Sequence, residues 1–531
     1  MANLEDLVIL PMLLLLSACW SSVPDTLPPG DPERPDIILV SIDTLRADHL
    51  SSYGYARETS PFLDRLAAEG TRFSQARSAS PWTLPAHTTM LTGQLPATHR
   101  VVDDNLSLGT SVPFLPELLQ STGYNTGGFV STLYVSRKFG FERGFDSFDD
   151  FGITTERANL SGVVVAENVI DAALRWMGAQ PEGEPGFLFL HFYDVHYAYD
   201  PPKPYDTMFD RAPESGDLTY KNYFYFKRNL PNEEQFAHQI AQYDESIRYV
   251  DAQLARLDER LRAAGRSVRW VVTSDHGEEF GERGSWGHAH TLYAEQLHVP
   301  LIMSGGGLPA GRSVDGWVGI HDIAPTITAW AGADGLRPDG IDLAPVLNGA
   351  SPPERPFLGE TTRFKTNRLS LLSGGLRLEW DVKANSLELF DPSADPRELS
   401  NLAAERPADV RRMQRELVEA LGVDWEVNTA VRVTLQDNKD KNAFMLTSNG
   451  RRTMAPLEPG ARFLVLPYDA DVVAVQAGVT KGPWRAAGGA VPGDGDVLTL
   501  IRSAQTDEQV LTPEECAQLQ ALGYITDCAG E

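Results

Sequence analysis

The sequence predicts an α/β fold built around a mainly parallel sheet, and three observations support this class. A continuous apolar run over 36–42 is typical of a strand buried on both faces. Segments of helical spacing that end at glycine are interspersed with further apolar runs. Polar residues able to bind a metal directly follow three of these runs, as they do at the ligand-binding edge of an open parallel sheet. The 531 residues suffice for one large domain and one or two smaller ones.

The first residues predict export. An apolar run over Leu13–Leu16 leads into Ser-Ala and then Cys19, which resembles the end of a bacterial lipoprotein signal. We expect residues 1–19 to be a signal peptide, Cys19 to carry the lipid that attaches the protein to a membrane, and the protein to be periplasmic or on the cell surface. The first seven residues contain two acidic residues and no Lys or Arg, so a plain signal peptide stays open. Residues 20–35 are rich in Pro and Asp and predict a tether.

The next three hundred residues carry the elements of the predicted sheet. Strand candidates span 36–42, 126–131, 186–192, 268–274 and 299–304, and helical patterns span 61–70, 83–93, 113–123 and 233–264. We predict that these elements form one catalytic domain over residues 36–350.

Polar residues cluster at the ends of the predicted strands. Asp43 ends the first strand, Asp194 and His196 follow the strand that ends at residue 192, and Asp275 and His276 follow the strand over 268–274. Because the carboxyl ends of parallel strands form one crevice, these residues should meet there. Asp43, Asp275 and His276 offer oxygen and nitrogen ligands for one divalent cation, and the hydroxyl of Thr83 can supply a fourth.

Thr83 begins the segment around which the predicted site is organised. Pro85 is placed in the first turn of a helix that Gly93 ends. This arrangement would aim a hydroxyl at an anion held by helix amides. The alternative is an ordinary threonine N-cap.

The C-terminal third has a different character. Alternating runs after residue 350 predict an antiparallel meander and a helix, which we assign to a subdomain over 351–425. Residues 426–531 predict a β-rich accessory region with a terminal helix. Cys516 and Cys528 could pair in an oxidising compartment. No cysteine lies near the predicted site, which excludes a thiol nucleophile.

The net charge of −27 limits the partners of the protein. Such a surface repels nucleic acid and extended polyanions, so we expect no nucleic-acid partner. An anionic substrate must be drawn by a local site, most simply a bound cation.

Three blocks of motifs resemble sulfatases of the alkaline phosphatase superfamily. They are Ile42–Leu50 with Tyr53–Tyr55, Thr59–Pro61, Ala67–Gly70 and Leu91–Gly93; Ser274–Glu278 with Trp286–His288, Leu292–Tyr293 and Val299–Leu301; and Leu387–Asp391 with Asp395–Pro396 and Asn401–Leu402. The resemblance implies an α/β/α sandwich, a small antiparallel C-terminal subdomain and one divalent metal beside the nucleophile. The substrate would be a small, glycan-borne or lipid-borne anionic ester.

The resemblance also gives the candidate residues their roles. Asp43, Asp275 and His276 match metal positions, and Thr83 matches the nucleophile. His196 matches the histidine of the family's Asp-x-His block. Ca²⁺ is typical of the family's site, whereas the imidazole of His276 favours Mn²⁺ or Zn²⁺.

Three further histidines are candidates. His288 matches the basic residue after Trp-Gly and, with His196, would stabilise the transition state or protonate the leaving group. Both could instead be structural. His87 stands where the family has arginine, and His290 has no clear counterpart; we expect both to bind substrate.

Thr83 is the main departure from the family pattern. Sulfatases oxidise a Cys or Ser to formylglycine, whereas oxidation of threonine would give a ketone, so we expect no formylglycine. A phosphothreonine can be hydrolysed by in-line attack of water. The leading hypothesis is therefore a hydrolase of phosphate or phosphonate esters. The alternatives are a sulfuric ester hydrolase with an atypical mechanism, an envelope phospho-group transferase, and a catalytically silent binding lipoprotein.

Overall fold

The structure, a computed structural model, describes residues 22–104, 106–153, 164–210, 230–366, 368–381, 384 and 386–420, together with two paired strands, Trp484–Ala486 and Leu500–Arg502. The predicted signal peptide with Cys19, the rest of the predicted accessory region, and Cys516 and Cys528 lie outside the described residues. Among the helices that are described, none is long and apolar enough to cross a membrane.

The larger part of the fold contains ten strands among the described residues. They are β1 (Asp36–Ile42), β2 (Gly70–Arg77), β3 (Asn125–Val130), β4 (Ser147–Asp149), β5 (Gly186–Phe192), β6 (Val268–Thr273), β7 (Glu279–Phe280), β8 (Trp286–Gly287), β9 (His298–Gly305) and β10 (Arg312–Gly319). Eight of them form one sheet in the order β10-β2-β9-β6-β1-β5-β3-β4, and β7 pairs with β8. Strand β9 is antiparallel to both of its neighbours, while the other pairs in the large sheet are parallel.

The helices connect these strands and lie outside the sheet. The α-helices are α1 (Pro61–Glu69), α2 (Thr83–Thr92), α3 (Pro96–His99), α4 (Leu115–Ser121), α5 (Ala166–Gly178), α6 (Glu233–Ala263), α7 (Ala294–Leu297), α8 (Ile323–Ala331), α9 (Ala344–Leu347) and α10 (Pro407–Ala420). Short 3₁₀ helices span Ala47–His49, Ser51–Tyr53, Leu133–Val135, Arg137–Phe139, Tyr205–Thr207, Ile320–Asp322 and Arg363–Lys365.

Strand β1 shows why the sheet is covered on both faces. Its seven residues are all buried, and its side chains alternate between two hydrophobic clusters. Ile37 and Leu39 pack in the cluster that includes apolar residues of α2, α4 and α8. Ile38 and Val40 pack in the cluster that includes residues of α1, α5 and α6. The predicted α/β/α sandwich around a mainly parallel mixed sheet is thus confirmed.

A second sheet follows in the chain. Strands β11 (Phe357–Thr361), β12 (Arg368–Ser373), β13 (Leu376–Asp381) and β14 (Ser386–Phe390) form an antiparallel meander, as the alternating pattern predicts. Helix α10 packs on it through Met413 and Leu417. The buried Glu398 accepts hydrogen bonds from Arg377 of β13 and Arg77 of β2, which ties the small sheet to the large one.

Candidate active site

The ends of β1 and β6 bring three metal-competent side chains together. These strands are parallel neighbours, with Ser41 opposite Thr273, so the residues that follow them lie at the same edge of the sheet. One possible ligand atom from each of Asp43, Asp275 and His276 lies within 4.8 Å of the other two. All three residues are fully buried.

Local hydrogen bonds orient the Asp275 side chain. Its Oδ1 accepts bonds from the backbone N–H of His276 at 2.9 Å and of Thr44 at 3.3 Å. The Ser274 hydroxyl donates to the carbonyl of His276, which closes the turn. Gly277 is required here, because a Cβ at this position would lie 2.2 Å from the carbonyl oxygen of Glu295. The turn therefore leaves Oδ2 of Asp275 available for a ligand.

The donor set of this cluster fits a divalent cation. Nδ1 of His276 lies 2.9 Å from the carbonyl oxygen of Gly277, which can only accept, so Nδ1 carries the proton and Nε2 presents a lone pair. This Nε2 lies 3.3 Å from Oδ2 of Asp275 and 3.7 Å from Oδ1 of Asp43. Among the residues that the structure describes, neither Asp43 oxygen has a hydrogen-bond partner, nor do Oδ2 of Asp275 and Nε2 of His276. Buried acceptors that face one another need a proton or a cation between them, and this donor set suits a divalent cation.

The carboxyl groups of the cluster have raised pKa values in the absence of a metal. Burial, opposed by His276 and assisted by Glu278, raises the pKa of Asp43 to about 7. Burial and the Asp43 carboxylate raise the pKa of Asp275. A divalent charge would reverse this effect, because it favours the ionised form of both groups.

Backbone strain follows Asp43 directly. Thr44 has a φ of 56°, a left-handed conformation that is unfavourable for a β-branched residue. Its hydroxyl donates to the carbonyl of Val195, and the Tyr243 hydroxyl donates to the Thr44 carbonyl. Such strain persists only when neighbouring contacts hold it, and it occurs most often at functional sites.

Thr83 is the first residue of helix α2, which is buried along its whole length. Trp82 precedes it in an extended conformation, and Gly93 ends the helix with a φ of 70°. Pro85 has no N–H and the amide of Ala86 bonds to the carbonyl of Trp82, so the first turn leaves the amides of Thr83 and Leu84 as donors. Such a helix end favours a bound anion.

His87 connects the start of α2 to the metal-competent cluster. Its Nδ1 lies 2.9 Å from the Thr83 carbonyl, to which it must donate, and its Nε2 accepts from the Ser41 hydroxyl at 2.9 Å. Nδ1 also lies 3.5 Å from Oδ2 of Asp275. Burial lowers the pKa of His87 to about 3, so the ring is neutral. Its contact with substrate stays a prediction; in the structure it fixes Thr83 beside Asp275.

His196 and His288 lie on the other side of His276. The ring centroids of His276 and His288 are 4.5 Å apart, and those of His196 and His288 are 4.9 Å apart. Nδ1 of His288 donates to Oε1 of Glu278 at 2.8 Å, and the Tyr199 hydroxyl donates to the other oxygen of that carboxylate. Glu278 thus fixes the ring of His288 beside the cluster.

His196 has a different environment. Its Nδ1 donates to the carbonyl of Tyr197 at 2.8 Å, and the Tyr193 hydroxyl lies 3.5 Å from its Nε2. Burial and the neighbouring His288 hold the pKa of His196 well below its usual value. A neutral ring with a proton on Nδ1 presents Nε2 as an acceptor.

Two residues that the sequence predicted at this site have other partners in the structure. Both ring nitrogens of His290 contact protein groups, the carbonyl of His288 and the Glu279 carboxylate, so its binding of substrate stays a prediction. Asp194 was expected at the same edge of the sheet, but its Oδ1 accepts from the amide of Ala166 at the start of α5. It is absent from the metal-competent group that the described residues form.

Sequence reasoning assigned no role to two residues of this region. Glu278 stands within the Ser274–Glu278 motif, but its contact with His288 depends on the fold. His191 lies inside the apolar strand β5, and its Nε2 is 3.3 Å from Oδ2 of Asp43. The available signal was a single imidazole in a strand of otherwise apolar character, since a buried polar ring needs a partner.

Comparisons with known proteins identify the family of the chain. The sulfatase family model matches residues 35–333. A choline-sulfatase of Rhizobium meliloti is 24% identical over 433 residues, which cover 70% of this chain and 82% of that protein. The crystal structure of a phosphonate monoester hydrolase of Agrobacterium radiobacter superposes with a TM-score of 0.60 at 22% identity, covering 73% of this chain and 96% of that one. An enzyme solved with its substrate D-glucosamine-2-N,6-O-disulfate superposes with a TM-score of 0.59 at 19% identity, covering 73% and 98%. The family model spans more than half of the chain, and we conclude that this protein belongs to the sulfatase family.

Proposed function

We propose that this member of the sulfatase family is an exported, metal-dependent hydrolase of phosphate or phosphonate esters, with Thr83 as its nucleophile. One observation carries the proposal: the buried helix α2 begins at a threonine that His87 holds beside Asp275 of the metal-competent cluster. We propose that an anionic ester binds between this helix end and the cluster, with its charge offset by the amides of the first turn and by a bound cation.

The chemistry of threonine favours phosphorus over sulfur. A formylglycine hydrate has a second hydroxyl that expels sulfate by elimination, and Thr83 cannot supply one. A threonine ester of phosphate or phosphonate can be hydrolysed by water at phosphorus, with inversion at each of the two steps. When bound, a divalent cation would lower the pKa of the Thr83 hydroxyl, so that its proton leaves to solvent, and would offset the charge of the ester oxygens.

The first step forms the bond between Oγ1 of Thr83 and phosphorus and breaks the bond to the leaving oxygen. His288 donates the proton that the leaving oxygen takes, because the Glu278 carboxylate stabilises its imidazolium form. The product alcohol departs, and Thr83 carries the phosphoryl or phosphonyl group.

The second step releases Thr83. Water attacks phosphorus, the bond to Oγ1 breaks, and His288 takes a proton from the water, which restores the imidazolium. The acceptor Nε2 of His196 suits the orientation of this water. In this proposal the two histidines have different roles, because His288 transfers the proton and His196 orients the water.

Sulfuric ester hydrolysis is the second candidate, and the family assignment favours it. The choline-sulfatase of Rhizobium meliloti is named for a sulfate ester. An unmodified threonine would then have to release sulfate by direct attack of water at sulfur. The fold likeness to the phosphonate monoester hydrolase is compatible with either ester.

The remaining parts of the proposal concern the metal and location of the protein. We propose one divalent cation at Asp43, Asp275 and His276, with the Thr83 hydroxyl as a further ligand. We also propose attachment to the outer face of a membrane through a lipid on Cys19. A phospho-group transferase would require an acceptor other than water, and a silent binding protein would lack turnover of any ester.

The test compares wild-type protein with Thr83→Ala and Thr83→Ser on nitrophenyl phosphonates, nitrophenyl phosphodiesters and nitrophenyl sulfate, after the metal content of each protein has been measured. Thr83→Ala should retain the metal and lose phosphoester turnover by at least ~10⁴-fold. Thr83→Ser keeps the hydroxyl and should retain measurable turnover. An alanine variant with unaltered turnover would exclude Thr83 as the nucleophile. Preferential turnover of the sulfate by wild-type protein would favour the second candidate.

A further inference from the structure

His191 is a buried histidine of β5 that contacts the metal-competent cluster. It has no solvent exposure, and it pairs with Ser41 of β1 in the parallel register. Its ring centroid lies 5.0 Å from that of His87. It thus occupies the face of the sheet on which α2 packs, next to the residue that fixes Thr83.

The hydrogen bonds around His191 define its tautomer. The Ser131 hydroxyl donates its single proton to the carbonyl of His191 at 2.9 Å and accepts from the amide of Tyr193. Ser131 Oγ can therefore only accept from the ring, whose Nδ1 lies 3.4 Å away. The proton is on Nδ1, and Nε2 presents a lone pair.

That lone pair faces a carboxylate. Nε2 of His191 lies 3.3 Å from Oδ2 of Asp43, and neither atom has a hydrogen-bond partner within the described part of the chain. On the other side of the same carboxylate, Oδ1 of Asp43 lies 3.7 Å from the lone pair of His276. Two imidazole nitrogens thus approach the two oxygens of one buried carboxyl group, so a proton on that group or a bound cation must lie between them. A cation bound at Asp43 removes the repulsion between these acceptors.

We propose that His191, through Nε2, is a fourth protein ligand of the divalent cation held by Asp43, Asp275 and His276. The inference rests on the metal site of the proposed function and adds a residue to it. His191 lies outside the group of three whose ligand atoms are mutually within 4.8 Å, and it approaches that group from the Oδ2 side of Asp43. A pair of imidazoles with two carboxylates selects Mn²⁺ or Zn²⁺ over Ca²⁺, which prefers oxygen ligands.

The first measurement needs no variant. Metal-free wild-type protein is loaded with Cu²⁺ as a probe, and the number of coordinated nitrogens is counted by electron paramagnetic resonance. The proposal predicts two imidazole nitrogens, from His191 and His276. A count of one would overturn it, whether or not any variant folds.

The second measurement uses His191→Gln, with His99→Gln as the matched control. His99 is also a buried histidine with both ring nitrogens bonded, to the Thr89 hydroxyl and the amide of Val101, but it is not in the cluster. His191→Gln should weaken Zn²⁺ binding by more than ~100-fold. A residue that only hydrogen-bonds to a metal ligand would weaken it by about 10–100-fold when replaced. His191→Gln should also remove one nitrogen from the Cu²⁺ spectrum, whereas His99→Gln should change neither.

The outcomes separate this inference from the proposed function. If wild-type protein binds Zn²⁺ and His191→Gln keeps the same nitrogen count, His191 is not a ligand, although the metal site and Thr83 remain. If wild-type protein binds no divalent metal at all, the proposed function fails as well. A preference of wild-type protein for Ca²⁺ over Zn²⁺ would also overturn the inference.

Discussion

Replacing Glu278 by glutamine should slow hydrolysis in a manner that depends on the leaving group. Nδ1 of His288 donates to Oε1 of Glu278 at 2.8 Å, and Glu278 is fully buried. At a charge separation of about 4 Å and an effective dielectric constant of about 20, the carboxylate stabilises the imidazolium by about 4 kcal/mol. The amide of glutamine would retain a hydrogen bond worth about 1 kcal/mol. The net loss of about 3 kcal/mol corresponds to a roughly hundredfold fall in kcat/KM, which reports the first step.

The assay measures kcat/KM, which reports the first step, for phosphonate or phosphodiester substrates whose leaving alcohols range from nitrophenol to simple alkanols. Nitrophenolate leaves without a proton, so Glu278→Gln should change its rate less than about threefold, whereas alkanol substrates should show the full effect. Glu279→Gln is the matched control, because this neighbouring buried glutamate contacts His290 instead. A loss that is equal for all leaving groups would refute the role of His288 as proton donor.

Three further predictions test the cluster and the fold. Burial raises the pKa of Asp43 to about 7, so below that pH a metal must displace a proton from its carboxyl group in order to bind. Calorimetry should therefore show that the affinity for Mn²⁺ falls about tenfold per pH unit below pH 7 and levels off above it. An affinity that does not change with pH would contradict this. Glu398→Gln removes the carboxylate that the buried Arg77 and Arg377 share, and it should lower the free energy of unfolding in urea by about 3–5 kcal/mol. An unchanged urea midpoint of unfolding would show that this ion cluster does not stabilise the fold. Gly93→Ala should lower the free energy of unfolding by more than the about 1–2 kcal/mol expected for an alanine in the left-handed conformation, because its Cβ would lie 2.7 Å from Pro338. The control Gly374→Ala has open space around its Cβ and should lower it by that amount only. Equal losses of stability in the two variants would show that the contact with Pro338 does not matter.

The sequence was most informative where one physical requirement dominated. Strands β1, β5 and β6 are buried on both faces at nearly every position, so most of their residues are apolar, and their positions were predicted to within one residue. Strand β2 was missed, because its sequence contains two arginines and other polar residues and three of its positions are only partly buried. The antiparallel direction of β9 depends on contacts between distant segments, which no local pattern encodes.

The candidate site shows the same division. Asp43, Asp275 and His276 follow recognisable strands, so their convergence could be expected from the rule for strand ends. The single imidazole in β5 could have marked His191, but its partner could not be predicted, because the contact depends on a tautomer set by Ser131 and on a carboxylate that follows the neighbouring strand. Asp194 follows a strand as well, but its position next to the start of α5 made it a partner of a helix amide. A rule about strand ends gives the edge at which a residue lies but not the partner toward which it turns.

The proposed mechanism requires Thr83 to become covalently attached to the phosphoryl or phosphonyl group that it receives from the substrate. Wild-type protein is mixed with a nitrophenyl phosphonate, quenched in acid within the first turnover and digested for mass spectrometry. We predict that the peptide containing Thr83 gains the mass of the phosphonyl group, and that Thr83→Ala shows no adduct at any position. An unmodified peptide during active turnover, or an adduct on another residue, would contradict the proposed mechanism.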